Sequence, residues 1–125
     1  MLRHAGYFRE LPGGFRSGPS IEDARGKLPG GLVGSVAAYL NGGTILSVSP
    51  APASDDWFTG ARQVTRLGSL TDGEWTWPMS LAYYVEQYRV GIPQEFLAHM
   101  QQHGWQCPPV PEDELGRIID EIEGS

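Results

Sequence analysis

The sequence predicts an α+β fold: an antiparallel four- to five-stranded meander sheet followed by two to three C-terminal helices packed on one face. Three observations carry this expectation. Apolar runs in the first two thirds are separated by Asn41-Gly42 and Asp72-Gly73, dipeptides that favour tight turns between strands. After Pro78 the apolar spacing changes to the three-and-four interval of a helix. Strands therefore precede helices, without the alternation of a parallel β-α-β chain.

Each element follows from its local pattern. Residues 4–10 predict a first strand, and the Gly- and Pro-rich stretch 11–19 a loop. Ser20 is placed to cap a short helix ending near Gly26, with Asp23 as a weak capping box. Residues 33–40 and 44–48 flank Asn41-Gly42-Gly43 and predict a β-hairpin. The stretch 50–62, with two prolines, Ser54, Asp55, Asp56 and Gly60, predicts a loop. Trp57-Phe58 inside it is an apolar plug or an exposed contact. Residues 63–70 and 74–77 flank Asp72-Gly73 and predict a second hairpin, closed by Pro78.

The helices come next. Leu81, Tyr84, Val85 and Tyr88 form one stripe, with Ser80 as N-cap and Gly91 as stop. Pro93 opens a second helix with Phe96, Leu97 and Met100 on its inner side, and Gly104 stops it. Residues 107–111, Cys-Pro-Pro-Val-Pro, form a stiff extended linker. Glu112, Asp113 and Glu114 then stand in the first turn of a last helix, where negative charge suits the dipole. Leu115, Ile118, Ile119 and Ile122 make its apolar stripe.

The bulk properties narrow the function. A chain of 125 residues suits one domain, 1–125, with strands over about 4–77 and helices over about 79–123. Its four Trp, five Tyr and four Phe can anchor a core without disulfides. Cys107 is the single cysteine. Residues 1–12 show no apolar signal-like segment, and no run approaches the roughly 18 residues of a membrane span. The expected compartment is a reducing cytoplasm, with no membrane association. Charge is divided along the chain, at +2 over 1–66 and −8 over 67–125. An acidic surface is repelled by phosphate backbones, which argues against nucleic acid, and speeds encounter with a basic protein.

Several residue groups have the composition to carry chemistry. Glu95, His99 and His103 recur every four residues on one predicted helix face, a spacing that could offer a zinc ion three ligands. The sequence lacks the His-Glu-x-x-His of metalloproteases, and a core-to-solvent boundary explains the same residues. Trp75 and Trp77 lie two apart on a strand and share a face, as core anchors or as an aromatic patch with Trp57. Tyr83 falls off the Leu81–Tyr88 stripe and is the candidate solvent-facing aromatic. No phosphate loop or nucleophile elbow is present. Cys107, flanked by prolines and followed by acid, lacks the electropositive setting of a reactive thiol.

One segment carries a resemblance. Asp72-Gly73-Glu74-Trp75-Thr76-Trp77-Pro78, then Leu81-Ala82-Tyr83-Tyr84-Val85, then Ile92-Pro93-Gln94-Glu95-Phe96-Leu97 resembles small bacterial α+β proteins bearing DGxWxWP, LAxYV and PxxFL. It covers about residues 65–105, and its motif is tied to no known chemistry. Proteins of this size, acidity and order are also loosely similar to toxin-immunity proteins, which implies a neutralising partner-binding role.

The expected function is a non-enzymatic protein-binding domain, monomer or homodimer, without cofactor. Its expected contacts are Glu112, Asp113, Asp120 and Glu121 on an acidic helical face, with Trp57 and Tyr83 as aromatic anchors. The alternative is a small-ligand or metal-binding domain with a pocket between sheet and helices, lined by Trp75, Trp77, Tyr84, His99 and His103.

Overall fold

The computed structural model describes residues 2–11, 14–55 and 61–123. Among them, a four-stranded sheet is joined by five α-helices in an α+β arrangement. The strands are β1 (Arg3–His4), β2 (Thr44–Asp55), β3 (Ala61–Thr71) and β4 (Trp75–Pro78). The helices are α1 (Ile21–Ala24), α2 (Val33–Asn41), α3 (Leu81–Tyr88), α4 (Gln94–Gln102) and α5 (Glu112–Glu123). A single 3₁₀ turn, Gly30–Leu32, leads into α2. No helix among the described residues is long and apolar enough to cross a membrane.

The sheet runs β1-β4-β3-β2 and is mixed: β1 pairs with β4 in parallel, the other neighbours antiparallel. The expected pure antiparallel meander is therefore corrected. So is the strand over 4–10, because only Arg3 and His4 pair with β4 before the chain turns away at Gly6. Gly6 takes φ +80°, and a Cβ there would stand 2.7 Å from the Leu81 methyls.

The largest departure is 33–41, which is helix α2 and not the first arm of a hairpin. Val33, Val36, Ala37 and Leu40 follow the helical interval as well as a strand's composition, and Val36, Tyr39 and Leu40 are fully buried. Asn41-Gly42-Gly43 consequently ends a helix: the Gly42 N–H donates to the carbonyls of Ala38 and Tyr39. The stretch 50–62 departs too. Residues 50–55 continue β2 and 61–62 begin β3, in one long hairpin whose residues 56–60 lie outside the described set. Pro50 and Pro52 are compatible with a strand because β2 is the sheet's edge.

The second predicted hairpin is present, with Leu70 opposite Trp77 and Thr71 opposite Thr76. Trp75 and Trp77 both turn into the core, while Thr76 between them turns to the other face. Phe96 of α4 stacks on Trp75 at 4.5 Å between ring centroids, and Tyr39 of α2 meets Phe96 edge-on at 6.0 Å. The Trp77 indole N–H donates to the Leu40 carbonyl at 3.1 Å, a bond from β4 to the last turn of α2. Ile21, Leu28, Leu81, Tyr84, Val85 and Met100 complete this core. Ile118 and Val110 are also buried, outside that main cluster.

The helix ends use unexpected partners. Ser20 stands at the N-cap of α1 but makes no side-chain cap. Its hydroxyl donates to the Glu10 carboxylate at 2.7 Å, and the Ile21 N–H donates to the same carboxylate at 2.8 Å. Glu10 thus replaces both the local cap and the expected Asp23 capping box. Ser80 likewise makes no side-chain cap on α3. Gly104, with φ +63°, follows the last turn of α4 as expected.

The close approach of Gly43 to the core gives a direct test. A Cβ there would lie 2.6 Å from Trp77 and 2.8 Å from Leu70 Cβ, both in the packed interior. Gly43→Ala is expected to lower stability by about 1–3 kcal/mol through overpacking, read as a shift in the urea midpoint at unchanged slope.

Candidate functional site

Two constellations stand out, one buried and one open. The buried one centres on Asp72, which the sequence marked only as half of a turn dipeptide. Asp72 is 7% exposed and its carboxylate accepts four hydrogen bonds. The N–H groups of Glu74 and Trp75 donate to Oδ1 at 2.9 and 2.7 Å. The Tyr39 hydroxyl donates to Oδ2 at 2.5 Å, and His99 Nε2 lies 2.9 Å from the same oxygen. His99 Nδ1 in turn lies 3.2 Å from Glu74 Oε2, so both ring nitrogens face carboxylates. Burial first, and then the hydrogen bond to Asp72 and its charge, push the Tyr39 hydroxyl well above its ordinary value, so it stays a donor at neutral pH.

This arrangement answers the metal expectation. His99 and His103 are neighbours, with ring centroids 4.7 Å apart, but His99 turns to Asp72 and Glu74 while Glu95 is exposed. Among the described residues no three His, Cys, Asp or Glu side chains converge to hold a metal ion. The Glu95–His99–His103 set is therefore not assembled as a ligand site. The expected pocket between sheet and helices is filled, because Trp77 and Tyr84 are at most 1% exposed and pack in the core.

Cys107 lies beside the same network. Burial first, then the Asp72 charge, push its thiol up to about 12. Its thiolate is scarce at neutral pH, in keeping with the inert reading of the sequence.

The open constellation lies on the other face of the sheet, where Ser47, Ser69 and Thr76 point away from Trp75 and Trp77. There a cleft of about 470 Å³ is floored by these three residues and walled by Tyr7 and Phe15 on one side and Ile119 and Ile122 on the other. Tyr7 and Phe15 stack at 4.7 Å, and His4 meets both edge-on. The floor hydroxyls are paired: Ser47 with Ser69 at 2.7 Å, and Tyr7 with Thr76 at 3.2 Å. Phe15 and Ile122 are among the large apolar side chains that remain exposed. Sequence reasoning missed this cleft, since a strand over 4–10 and a loop over 11–19 do not by themselves bring Tyr7 and Phe15 together.

Helix α5 supplies the cleft's second wall. It buries Ile118, turns Ile119 and Ile122 to the cleft, and exposes Glu112, Asp113, Asp120 and Glu121. All four acidic residues expected at a binding face are thus at the surface of one helix. Arg117 lies 4.0 Å from Asp113, a pair exposed on both sides. Of the two expected aromatic anchors, Trp57 lies outside the described residues. Tyr83 is half-buried and packs edge-on against Tyr84 and Tyr88 in an aromatic cluster.

Comparison with protein-family models, with curated proteins and with solved structures finds no match.

Asp72→Ala strands Tyr39, His99 and two backbone donors, and is expected to cost about 3–5 kcal/mol, whereas Tyr39→Phe removes one donor and costs about 1–2 kcal/mol; chemical denaturation measures both. The raised Cys107 thiol predicts iodoacetamide alkylation at pH 8 at least about a hundredfold slower in the folded protein than in urea. Mass spectrometry of timed samples reads that ratio.

Proposed function

We propose that this protein is a non-enzymatic protein-binding domain that uses the acidic face of α5 to meet a basic surface on its partner. The observation that carries the reading is the joint exposure of Glu112, Asp113, Asp120 and Glu121 on one amphipathic helix. Between residues 112 and 123 there are six acidic residues and one Arg. Such a face attracts a cationic surface over roughly one Debye length, about 8–10 Å at physiological salt, and so accelerates encounter.

The loose similarity of a protein of this size, acidity and α+β order to toxin-immunity proteins gives this reading a biological form. An acidic helix laid across the basic active site of a toxin or other enzyme neutralises it by occlusion. That role requires positioning of charge and no bond chemistry. It suits a fold whose buried polar network is fully occupied in holding elements together.

The test is kinetic. Proteins retained from the native cell by the immobilised wild type are identified, and the association rate of the retained protein is measured with the wild type and with the variant E112Q/D113N/D120N/E121Q. The variant is expected to associate at least about tenfold more slowly at low salt, the two rates converging as salt rises. Its stability should change little, since the four positions are exposed. An association rate equal to wild type at low salt would falsify the acidic-face reading.

A further inference from the structure

The cleft between the sheet and α5 has no part in holding the core together, yet it is shaped and chemically sorted. Its two walls differ in kind. One is aromatic, with Tyr7 and Phe15 stacked at 4.7 Å, and the other is aliphatic, with Ile119 and Ile122 of α5. Its floor offers hydroxyls that already satisfy one another, Ser47 with Ser69 and Tyr7 with Thr76. Among the described residues no buried side-chain nitrogen or oxygen lacks a partner. A guest therefore need not bring polar groups to the floor, and gains mainly by covering apolar surface. The cleft leaves large apolar side chains in water at its rim, with Phe15 at 42% exposure and Ile122 at 50%.

Charge identifies the guest. The aliphatic wall belongs to the helix whose outer side carries Glu112, Asp113, Asp120 and Glu121. Asp120 and Glu121 follow Ile119 in sequence and so project to the helix's outer side, away from the wall that Ile119 and Ile122 form. An apolar group seated against that wall lies roughly one helix diameter, about 10 Å, from those carboxylates, within a Debye length. A cation tethered to that group is favoured, and an anion is repelled. The aromatic wall has Arg16 next to Phe15, so the attraction for cations is one-sided and lies along α5. The volume, about 470 Å³, falls within the range of sites for drug-sized guests and exceeds the needs of one side chain.

We infer that the cleft is the anchor socket for a short segment of the basic partner, one that places bulky apolar side chains between Tyr7/Phe15 and Ile119/Ile122 and flanking Lys or Arg against α5. This rests on the acidic-face reading and adds to it where the partner inserts and what it inserts. Apolar anchors surrounded by complementary charge are the usual distribution of energy in a protein interface: the anchors set the dissociation rate, and the charges set the association rate.

The probe is a phage-displayed random peptide library selected on the full-length protein, followed by synthesis of the enriched peptides. Kd is measured for wild type, for the uncharged changes Ile122→Gln and Leu46→Gln (Leu46 also lines the cleft), and for E112Q/D113N/D120N/E121Q. Ile122 is half exposed, so its substitution tests the socket without endangering the fold; thermal melting verifies this for both cleft variants. Enriched peptides are expected to combine Trp, Phe, Tyr or Leu with Lys or Arg, and each cleft change should weaken them at least about fivefold. The fourfold acidic variant should weaken them in a salt-dependent way. Peptides that depend on the acidic residues but bind both cleft variants as well as wild type overturn the socket and leave the acidic-face reading standing. Peptides that need the cleft but lack Lys and Arg overturn the cationic guest. A library that yields no peptide above the level of an unrelated protein overturns the socket outright.

Discussion

The carboxylate of Asp72 is the constraint on which the rest of the molecule depends. It accepts from the β3–β4 turn through the N–H groups of Glu74 and Trp75, from α2 through Tyr39, and from α4 through His99. One buried side chain thus joins the turn to two helices remote in sequence. A buried carboxylate is tolerated only when its lone pairs are occupied, and four donors occupy them here. The geometry then propagates. With the turn fixed, β4 takes a register that sends Trp75 and Trp77 into the helices and Thr76 to the opposite face. Trp75 receives Phe96, and Trp77 reaches the Leu40 carbonyl, so the same two helices are bound a second time through aromatic packing.

That register also makes the cleft. Because Trp75 and Trp77 consume one face of β4, the other face presents Thr76, with Ser69 and Ser47 alongside. Small hydroxylated residues leave room above the sheet, which Tyr7, Phe15 and α5 enclose without filling. The molecule is divided accordingly. The Asp72 side is densely packed and polar only where each group has a partner. The cleft side leaves apolar surface in water beside a helix dense in carboxylates. The first arrangement suits stability, and the second suits recognition. The charge division along the chain has the same sense, since the acidic second half ends in α5.

Legibility in the sequence followed the range of the interactions involved. The turn at Asp72-Gly73, the strands on either side of it and the helices after Pro78 were visible because local pattern dictates them. The four exposed acids of α5 were visible for the same reason: an amphipathic helix of this strength has only one side to bury. Helix α2 was not visible as a helix. Its Gly, Ser, Asn and two Val are weak helix formers that offset its two Ala, and what holds the helix is tertiary, the Tyr39 bond to Asp72 and the Trp77 bond to Leu40. The Asn-Gly after it carries the same signal whether it closes a hairpin or ends a helix. His99 looked like a metal ligand because its partner, Asp72, lies 27 residues away. The aromatic wall escaped notice because 4–10 has the look of a strand, whereas the chain leaves the sheet after His4 and brings Tyr7 against Phe15.

Native-state hydrogen exchange at the β3–β4 turn tests the central claim most directly. If Asp72 locks the turn to α2 and α4, the amides of Glu74 and Trp75 open only with the whole molecule. Their exchange free energies should then equal those of core amides such as Trp77 and Val85, and fall together with them as denaturant is added. Exchange of Glu74 and Trp75 through a separate, low-energy local opening, with the core amides still protected, would contradict it.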